Sequence, residues 1–347
     1  MSSTPRITCK KVAIALLGYN SKDYLERFIP GILQTKYQDR TVVYIDNGST
    51  DDSIKYVEEN FPEVEIFKIE INAGFTGGYN QSLANIDAEY YVLLNSDVEV
   101  TPEWLDTIID YMDQHKNIGA AQPKILHQPE PDHFDYAGAS GGYIDKYGYP
   151  FCRGRIFNTL EKDEHQYDSC EKIFWASGAC MILKADLYHE LGGLDNNFFT
   201  HMEEIDLSWR ISNAGYDIVV YPKSVVYHVG GSIIKYGSFT KLYHNYRNNL
   251  VMLYKNLPKR RIFPTIFMRI GLDIVAATRA LFTLRFTEVR AIMTAHLHFF
   301  FKRKLWKQSR LNALKHVKTE AKNGIYRRSI VWDYFILGKK KFSRLKF

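Results

Sequence analysis

The first half of the chain alternates between short apolar runs and segments with helical spacing of apolar residues. The predicted strands are 12–17, 41–45, 65–71 and 90–94, and the predicted helices between them are 22–35, 51–61 and 78–86. A further helix is predicted from Thr101, which would cap it, with Pro102 at its first position. Continuous apolar strands separated by amphipathic helices are typical of a mostly parallel sheet with helices on both faces.

The pattern loosens in the middle of the chain. Residues 134–158 are rich in Gly and Tyr, and they are predicted to form a long loop, alone or with a hairpin. Long loops in compact domains tend to carry function, and we expect residues 136–155 to do so. Strands are predicted again at 173–183 and 217–221, with a helix at 204–214 between them.

Polar residues stand just after the predicted strands of the first half. Asn20, Asp46, Asn72 and Asp97 each follow an apolar run closely. Ligands of open parallel sheets bind beyond the carboxyl ends of the strands. The sequence therefore predicts a binding site at this one edge.

Composition narrows the class of protein. The 347 residues are 46% hydrophobic and include 24 Tyr and 21 Phe, which excludes a disordered chain. The four cysteines form no C-x-x-C pair, which argues against a disulfide scaffold and a structural zinc site. The first residues lack the apolar core of a secretory signal, and we expect a reducing, cytoplasmic environment.

The net charge of +6 is unevenly distributed. Residues 301–347 carry 15 Lys and Arg against two acidic residues, so the rest of the chain is mildly acidic. A basic tail on an acidic body predicts an anionic partner, either nucleic acid or the cytoplasmic leaflet of a membrane. A solvated tail that only aids solubility is the alternative.

Residues 262–284 are apolar nearly all round but contain Arg269, Asp273 and Arg279. Three charges cost about 8–10 kcal/mol in a spanning helix, whereas the apolar residues return only about 3–7 kcal/mol. We therefore predict a helix that lies in the membrane interface or packs as a core helix on the body, with Arg269 and Asp273 paired across one turn. Residues 289–301 are predicted to form a second such helix.

The strand-end residues exclude several chemistries. The first strand is followed by GYNSKD, which is not the G-x-G-x-x-G of dinucleotide-binding folds, and no phosphate-binding P-loop occurs. Asp46 is followed two residues later by Gly48, where an aspartyl-phosphate phosphatase needs a second Asp. Asp97 offers one carboxylate, which suits a divalent cation that also binds substrate phosphates, although a turn residue is the alternative.

A second acidic group lies far along the chain at Glu203, Glu204 and Asp206. A neighbouring Phe pair is expected to raise the pKa of an acid there, as a general base for a hydroxyl requires. Asp206 is expected either to face solvent or to cap the turn. His228 follows a later strand and is a candidate metal ligand. The alternatives are a solvated helix end for the acids and a core histidine for His228.

Taken together, these motifs resemble the family-2 inverting glycosyltransferases of the GT-A fold, and most closely the bacterial rhamnosyltransferase-like members that build surface polysaccharide. The motifs, in family order, are VVYIDNGSTDDS, NAGFTGGYNQSL, YYVLLNSDVEV, GGLDNNFFTHMEEIDLSWR and VYHVGGS. The resemblance covers about residues 11–256. It implies a GT-A domain over residues 1–257 and a C-terminal region of amphipathic or hydrophobic helices with a basic, membrane-associating tail over 258–347.

The resemblance implies a role for each matching position. The positions implied to contact the nucleotide sugar are Asn20, Asp46, Asn72, Gly74, Phe75, Gly78, Asn80 and Asn95. Asn95-Ser96-Asp97 stands where the family has a metal-binding D-x-D, so Asp97 is the implied ligand of Mg²⁺ or Mn²⁺, joined by His228 as in some members. The acceptor side is implied to include Trp175, Gly178 and Arg210.

The implied reaction is a single displacement with inversion. Glu204 is the implied catalytic base, with Glu203 as the alternative and Asp206 in support. The donor would be a nucleotide-diphospho-sugar, such as dTDP-rhamnose or a UDP-sugar, and the acceptor a glycan or a lipid-linked glycan. The basic tail and apolar helices would hold the enzyme to the inner face of the plasma membrane, which weighs against nucleic acid as a partner. Two alternatives stay open: transfer to a polyprenyl phosphate, and a non-catalytic membrane-surface assembly subunit.

Overall fold

The architecture is described from a computed structural model, which describes residues 6–230 and 237–347. The strands are β1 (Ile7–Thr8), β2 (Val12–Gly18), β3 (Arg40–Asn47), β4 (Glu65–Ile69), β5 (Ile86–Asp87), β6 (Tyr90–Asn95), β7 (Val98–Val100), β8 (Ile118–His127), β9 (Glu130–Phe134), β10 (Gly142–Asp145), β11 (Pro150–Cys152), β12 (Arg155–Ile156), β13 (Thr159–Leu160), β14 (Glu171–Lys172), β15 (Cys180–Lys184), β16 (Asp217–His228) and β17 (Ile325–Tyr326). The helices are α1 (Lys22–Leu33), α2 (Ser53–Asn60), α3 (Gly74–Leu83), α4 (Asp106–Gln114), α5 (Ala185–Glu190), α6 (Glu203–Asn213), α7 (Phe239–Asn256), α8 (Lys259–Phe282), α9 (Phe286–Phe301), α10 (Arg303–Leu314) and α11 (Ile330–Phe335).

A large mixed sheet forms the centre of the molecule, with strand order β14-β16-β8-β15-β6-β2-β3-β4. The half made of β6, β2, β3 and β4 is parallel, as predicted. The other half is mixed, because β15 runs antiparallel to both β6 and β8. The prediction of a mostly parallel sheet therefore holds for the first half of the chain only.

Both faces of the parallel half are buried. Ala13 and Ala15 of β2 join the core that α3, α5 and α6 cover, whereas Val12 and Ile14 join the core that α1, α2 and α4 cover. Successive side chains of a strand point to opposite faces, so a strand covered on both faces must be apolar throughout. This is why the four strands are continuous apolar runs.

Several predicted elements differ from the structure. Helix α3 begins at Gly74, four residues earlier than predicted, and α4 begins only at Asp106. Thr101 does not cap a helix, because its hydroxyl donates a hydrogen bond to the carbonyl of Val225. The strand predicted at 173–183 is broken, because Trp175 leaves the main sheet and forms a bridge with Gly142.

The stretch predicted as a long loop is instead part of a second sheet. Its strand order is β13-β12-β11-β10-β17, which places the late strand β17 beside β10 in parallel. The strands are two to four residues long, too short to show an alternating pattern. The prediction of a loop alone was therefore wrong, whereas the alternative of a loop with a hairpin is confirmed by the antiparallel pair of β10 and β11.

The C-terminal helices pack on the body around α7, which contacts α8, α9 and α10. The predicted helices at 262–284 and 289–301 are confirmed as α8 and α9, and Arg269 pairs with Asp273 at 2.9 Å as predicted. Within the two described ranges, no helix is both long enough and apolar enough to cross a membrane.

The chain then returns to the body. The amide of Ile330 donates to the carboxylate of Asp145, and that of Phe342 donates to Glu161. The basic tail is therefore packed on the second sheet.

Candidate active site at the carboxyl edge of the main sheet

Strands β2, β3 and β6 bring two predicted site residues to one edge. Asp46 of β3 lies opposite Gly18 of β2, and Asn95 of β6 lies opposite Leu17 on the other side of β2. Neighbouring strands are about 4.8 Å apart, so Asp46 and Asn95 flank β2 at a separation on the order of 10 Å.

Asp46 is buried and already organised by its neighbours. Its carboxylate accepts hydrogen bonds from the hydroxyl of Tyr44 at 3.1 Å and from the amide of Ser49 at 3.2 Å. Asn20 approaches the same turn: its side-chain oxygen accepts from the amide of Thr50 at 2.7 Å. Asn20 and Asp46 therefore line one end of the candidate site, fixed by the turn after β3.

The loop before α3 is held by Asn47, the last residue of β3. Its side-chain amide donates to the side chain of Asn72 and to the carbonyl of Gly74. Gly74 has a φ of +72°, and an added Cβ would lie 2.5 Å from the ring of Phe199. Gly78 lies against Leu17 in the same way, at 2.8 Å. These glycines let the loop pack closely at the strand ends.

Asn80, another residue expected to contact the nucleotide, is directed into the protein instead. Its side-chain nitrogen donates to the carbonyl of Leu194, and its oxygen accepts from the amide of Leu194 and from the hydroxyl of Tyr188. In the described structure, Asn80 therefore fastens α3 to the segment that precedes α6.

Asp97, His228 and Asp135 form a buried line of three side chains. One ring nitrogen of His228, Nε2, lies 3.3 Å from Asp97, and the other, Nδ1, lies 2.9 Å from Asp135. Burial alone would lower the pKa of His228, but the two carboxylates outweigh it and raise that pKa to about 10. The sequence predicted Asp97 and His228 together and missed Asp135, which lies in the stretch taken for a loop.

This arrangement fits a divalent cation, provided that the cation displaces the proton that His228 holds when no metal is bound. A carboxylate oxygen and an imidazole nitrogen are suitable ligands for Mn²⁺, and the carboxylate suits Mg²⁺. Metal-binding histidines almost always place their second ring nitrogen against a carboxylate or carbonyl, as Asp135 does here. A cavity of about 250 Å³ opens beside Asp135 and is lined also by Tyr136 and Gly230.

Another acidic group is better explained without a metal. Asp163, His165 and Asp168 offer ligand atoms within 4.8 Å of one another. However, the buried ammonium of Lys124 already pairs with both of these aspartates. A buried cation needs such partners, so the acids balance the charge of Lys124.

Glu203 and Glu204 begin α6. One carboxylate oxygen of each is buried and has no hydrogen-bond partner within residues 6–230 and 237–347. Burial raises the pKa of Glu204 to about 7. Burial and then the charge of Glu204 raise the pKa of Glu203 well above its ordinary value. Burial is thus the largest cause of the raised pKa of both acids, and the charge of Glu204 acts on Glu203 in addition.

Glu204 lies at the same edge as the strand ends. Gly178 lies between Phe75 and Glu204, because a Cβ added to Gly178 would be 3.1 Å from the Phe75 ring and 3.7 Å from Glu204 Cβ. The next residue, Ala179, accepts a hydrogen bond from the amide of Asn95. A short chain of contacts thus joins Glu204 to the Asn95–Asp97 segment.

Three other predicted residues stabilise the site from within. Asp206 is fully buried and does not face solvent or cap a turn; it pairs with Arg210 at 2.9 Å and with Lys255 of α7 at 2.8 Å. Arg210 also donates to main-chain carbonyls before α6. The indole of Trp175 is buried and donates to the carbonyl of Tyr143 in the second sheet. In the described structure, none of these three side chains faces the open space at the carboxyl edge of the main sheet.

The loop before α6 has an unusual backbone. Phe199, His201 and Met202 have φ values of +65°, +67° and +71°, which side chains other than glycine adopt at a cost of about 1–3 kcal/mol each. Helix α7 holds this loop, since the side-chain amide of Asn248 donates to the carbonyls of Thr200 and His201. Arg247 donates to the carbonyls of residues 197 and 198 just before it. No motif in the sequence predicted this contribution from α7.

The parallel half-sheet, the acids at its edge and the carboxylate–histidine pair define a glycosyltransferase of the GT-A fold. More narrowly, the chain belongs to glycosyl transferase family 2, whose model matches residues 14–192.

Comparisons with individual proteins agree. The N-acetylglucosaminyl-diphospho-decaprenol L-rhamnosyltransferase of Mycobacterium tuberculosis is 26% identical over 233 residues, which are 62% of this chain and 75% of that protein. The structure of the mannosyltransferase PcManGT from Pyrobaculum calidifontis, in complex with GDP-Man and Mn²⁺, has a TM-score of 0.53 at 14% identity and covers 90% of this chain and 89% of that one. S. aureus TarS 1-349 in complex with UDP-GlcNAc has a TM-score of 0.55 at 14% identity, covering 88% of this chain and 89% of that one. The two structures share the fold.

Proposed function

We propose that this protein is an inverting glycosyltransferase that moves a sugar from a nucleotide-diphospho-sugar to a hydroxyl group of a glycan or lipid-linked acceptor. The observation that carries the proposal is the state of Glu204. The residue is half-buried, one of its carboxylate oxygens is buried without a partner among the described residues, and burial raises the pKa of the carboxyl group to about 7. A general base works best when its pKa lies near the working pH.

The donor would bind along the strand ends. Asp46 and Asn20 would receive the base or ribose, and the loop at Asn72 and Gly74 would lie along the nucleotide. Supporting this, both similar GT-A structures hold a nucleotide sugar, GDP-Man in one and UDP-GlcNAc in the other. For this chain, dTDP-rhamnose and UDP-sugars are the donors to test first.

Asp97 and His228 would hold a Mg²⁺ or Mn²⁺ ion, with Asp135 orienting the imidazole. Such an ion supplies positive charge that stabilises the negative charge developing on a diphosphate leaving group. The Mn²⁺ in the complex of the mannosyltransferase supports this assignment.

In the proposed reaction, the acceptor oxygen forms a bond to the anomeric carbon while the bond from that carbon to the diphosphate oxygen breaks. The hydroxyl proton passes to Glu204, and the nucleoside diphosphate leaves with the bonding electrons. Attack opposite the leaving group inverts the configuration, and no covalent enzyme intermediate is needed. Glu203 is disfavoured as the base because its side chain is buried more deeply than that of Glu204, and the charge of Glu204 raises its pKa further.

The acceptor we favour is a lipid-diphosphate-linked sugar used in surface polysaccharide synthesis. The name of the mycobacterial relative, 26% identical to this chain, specifies a sugar acceptor on a lipid diphosphate. Such an acceptor would place the enzyme in the cytoplasm, at the inner face of the plasma membrane.

The test uses the full chain with Mn²⁺, a panel of nucleotide sugars and a short polyprenyl-diphosphate-linked sugar. Glu204→Gln should abolish transfer and keep donor binding, whereas the neighbouring Glu203→Gln is the matched control and should stay active. An active Glu204→Gln would contradict the proposal. It would favour transfer to a polyprenyl phosphate, because that acceptor is already ionised and needs no base. If the wild-type protein binds no nucleoside diphosphate with or without Mn²⁺, the non-catalytic alternative is favoured.

A further inference from the structure

Helix α8 buries polar side chains and exposes apolar ones. Its buried side chains include the polar Thr265, Arg269 and Asp273. Its exposed side chains include, at helical spacing, Phe263, Phe267, Met268, Ile274, Val275, Leu281 and Phe282. A helix on the surface of a protein in water normally has the reverse pattern. The apolar side of α8 therefore faces away from the protein.

The polar side of α8 is fully used within the protein. Arg269 donates to Asn249 of α7 at 2.6 Å and pairs with Asp273. Asp273 also contacts His296 of α9 at 3.0 Å and the hydroxyl of Tyr149 at 3.3 Å. These contacts fix the rotation of α8, so its apolar side cannot turn inward without breaking a buried ion pair.

The apolar surface extends over neighbouring elements. Of the 24 large apolar side chains exposed in the described residues, 22 lie within residues 263–347. On α9 and α11 they include Phe286, Met293, Leu297, Phe300, Phe301, Trp332 and Phe335. The guanidinium of Arg279 on α8 lies 5.7 Å from the ring of Phe335, which places α11 beside α8. The exposed apolar side chains of α8, α9 and α11 are together called the outer helical face.

Basic residues stand at the ends of these helices. These exposed Lys and Arg residues are 259 and 260 at the start of α8, Arg285 in the turn to α9, and 302–304 after α9. Contiguous apolar surface of this extent marks an interaction site, and its basic margin is complementary to negative charge.

We propose that the outer helical face binds an anionic lipid bilayer, with α8 and α9 lying in the plane of the interface. Amphipathic helices of this kind bury their apolar side to about 5–10 Å while basic residues meet the lipid headgroups. The lipid surface is favoured over a protein partner because the apolar side chains cover three helices and basic residues outnumber acidic ones at their margin, where Glu288 pairs with Arg285 and Glu320 with Arg260.

The outer helical face also connects to the candidate active site. The hydroxyl of Tyr243 on α7 lies 2.7 Å from His298 of α9. The next residue, His244, stacks on Phe199, which packs against Gly74. If the proposed function is correct, α7 leads from the bilayer to the site where a lipid-linked acceptor reacts.

The test measures co-sedimentation of the full chain with vesicles of phosphatidylcholine, with and without phosphatidylglycerol, in the absence of nucleotide sugar. Wild-type protein should bind the anionic vesicles more tightly. Phe267→Asp combined with Phe282→Asp should lower the partition constant at least about tenfold. The matched control is Ile71→Asp, which puts the same charge on an 80% exposed apolar residue outside the outer helical face and should bind as the wild type does.

A second variant, Lys302→Glu with Lys304→Glu, changes exposed charges only and should weaken binding to anionic vesicles at least about tenfold. It decides the matter if the aspartate variant does not fold, as judged by circular dichroism. Three outcomes would overturn the proposal. The wild-type protein could fail to bind vesicles, or the variants could bind them as the wild type does. The third outcome is a dimer that Phe267→Asp and Phe282→Asp convert to monomer, without any vesicle binding. Glu204→Gln should bind vesicles normally, so failure of the proposed chemistry is told apart from failure of membrane binding.

Discussion

Asn248 donates its side-chain amide to the main-chain carbonyl of His201, at 2.7 Å. Asn248 belongs to α7, and His201 lies in the loop of left-handed residues that leads into Glu203 and Glu204. The C-terminal half of the chain thus sets the backbone at the start of the candidate catalytic helix.

We predict that Asn248→Ala lowers kcat at least about tenfold and leaves the KM for the donor within about threefold. The variant leaves the loop carbonyls without their donor, which costs about 1–3 kcal/mol and lets the acids move from their position. Transfer kinetics measure the effect, and thermal unfolding checks the fold. The matched control is Asn245→Ala, one turn earlier on α7, because among the described residues the side chain of Asn245 donates only to the carbonyl of Lys241. Equal loss in both variants would contradict a positioning role.

The raised pKa of Glu204 predicts a pH dependence of the reaction. A general base works only when deprotonated, so kcat should rise about tenfold per pH unit below the pKa of about 7 and level off above it. The measurement is the initial rate of transfer between pH 5.5 and 8.5 at saturating donor and acceptor. The rising limb should disappear from any residual rate of Glu204→Gln. A profile that is flat down to pH 5 would contradict the assignment.

We predict that Asp135 increases the affinity of the site for the metal although it is not itself a ligand. Replacing it with Asn removes the charge behind the His228 imidazole, and such changes lower metal affinity about 10–100-fold. Titration calorimetry with Mn²⁺ alone measures this loss directly. Asp132→Asn is the matched control, because Asp132 is exposed and pairs with Lys162. If the two variants bind Mn²⁺ equally, Asp135 has no part in the site.

We predict that Asp206 stabilises the folded protein and takes no direct part in the reaction. Its removal in Asp206→Ala leaves Arg210 and Lys255 buried without their carboxylate, which is expected to cost about 3–5 kcal/mol in the free energy of unfolding. Urea unfolding provides the measurement. Asp186→Ala, on a partly exposed position in the first turn of α5, should cost far less. A stable Asp206→Ala that is nevertheless inactive would instead restore Asp206 as a catalytic residue.

The first half of the fold was readable from the sequence because its strands are buried on both faces. Continuous apolar runs such as 90–94 leave little ambiguity, and the polar residues after them mark the carboxyl edge. The structure brings Asp46 and Asn95 to that edge on either side of β2, and Asp97 lies beside His228.

The contributions from distant segments were not readable. Asp135 was missed because its surroundings are strands of two to five residues in a Gly-rich stretch, which show no period. Asp206 was expected to face solvent or to cap the turn, because its partner Lys255 lies 49 positions away on another helix. Asn80 matches a nucleotide-contacting motif, yet its side chain is consumed by hydrogen bonds to residues more than 100 positions later. Local pattern carries no information about such partners.

The pairing of β17 with β10 has a consequence for biosynthesis. Ile144 finds its partner Ile325 only after some 180 further residues have been made. The second sheet therefore cannot be completed on the ribosome until Tyr326 has emerged. A truncation that ends after α10 would leave a strand edge of that sheet open, and such edges favour aggregation.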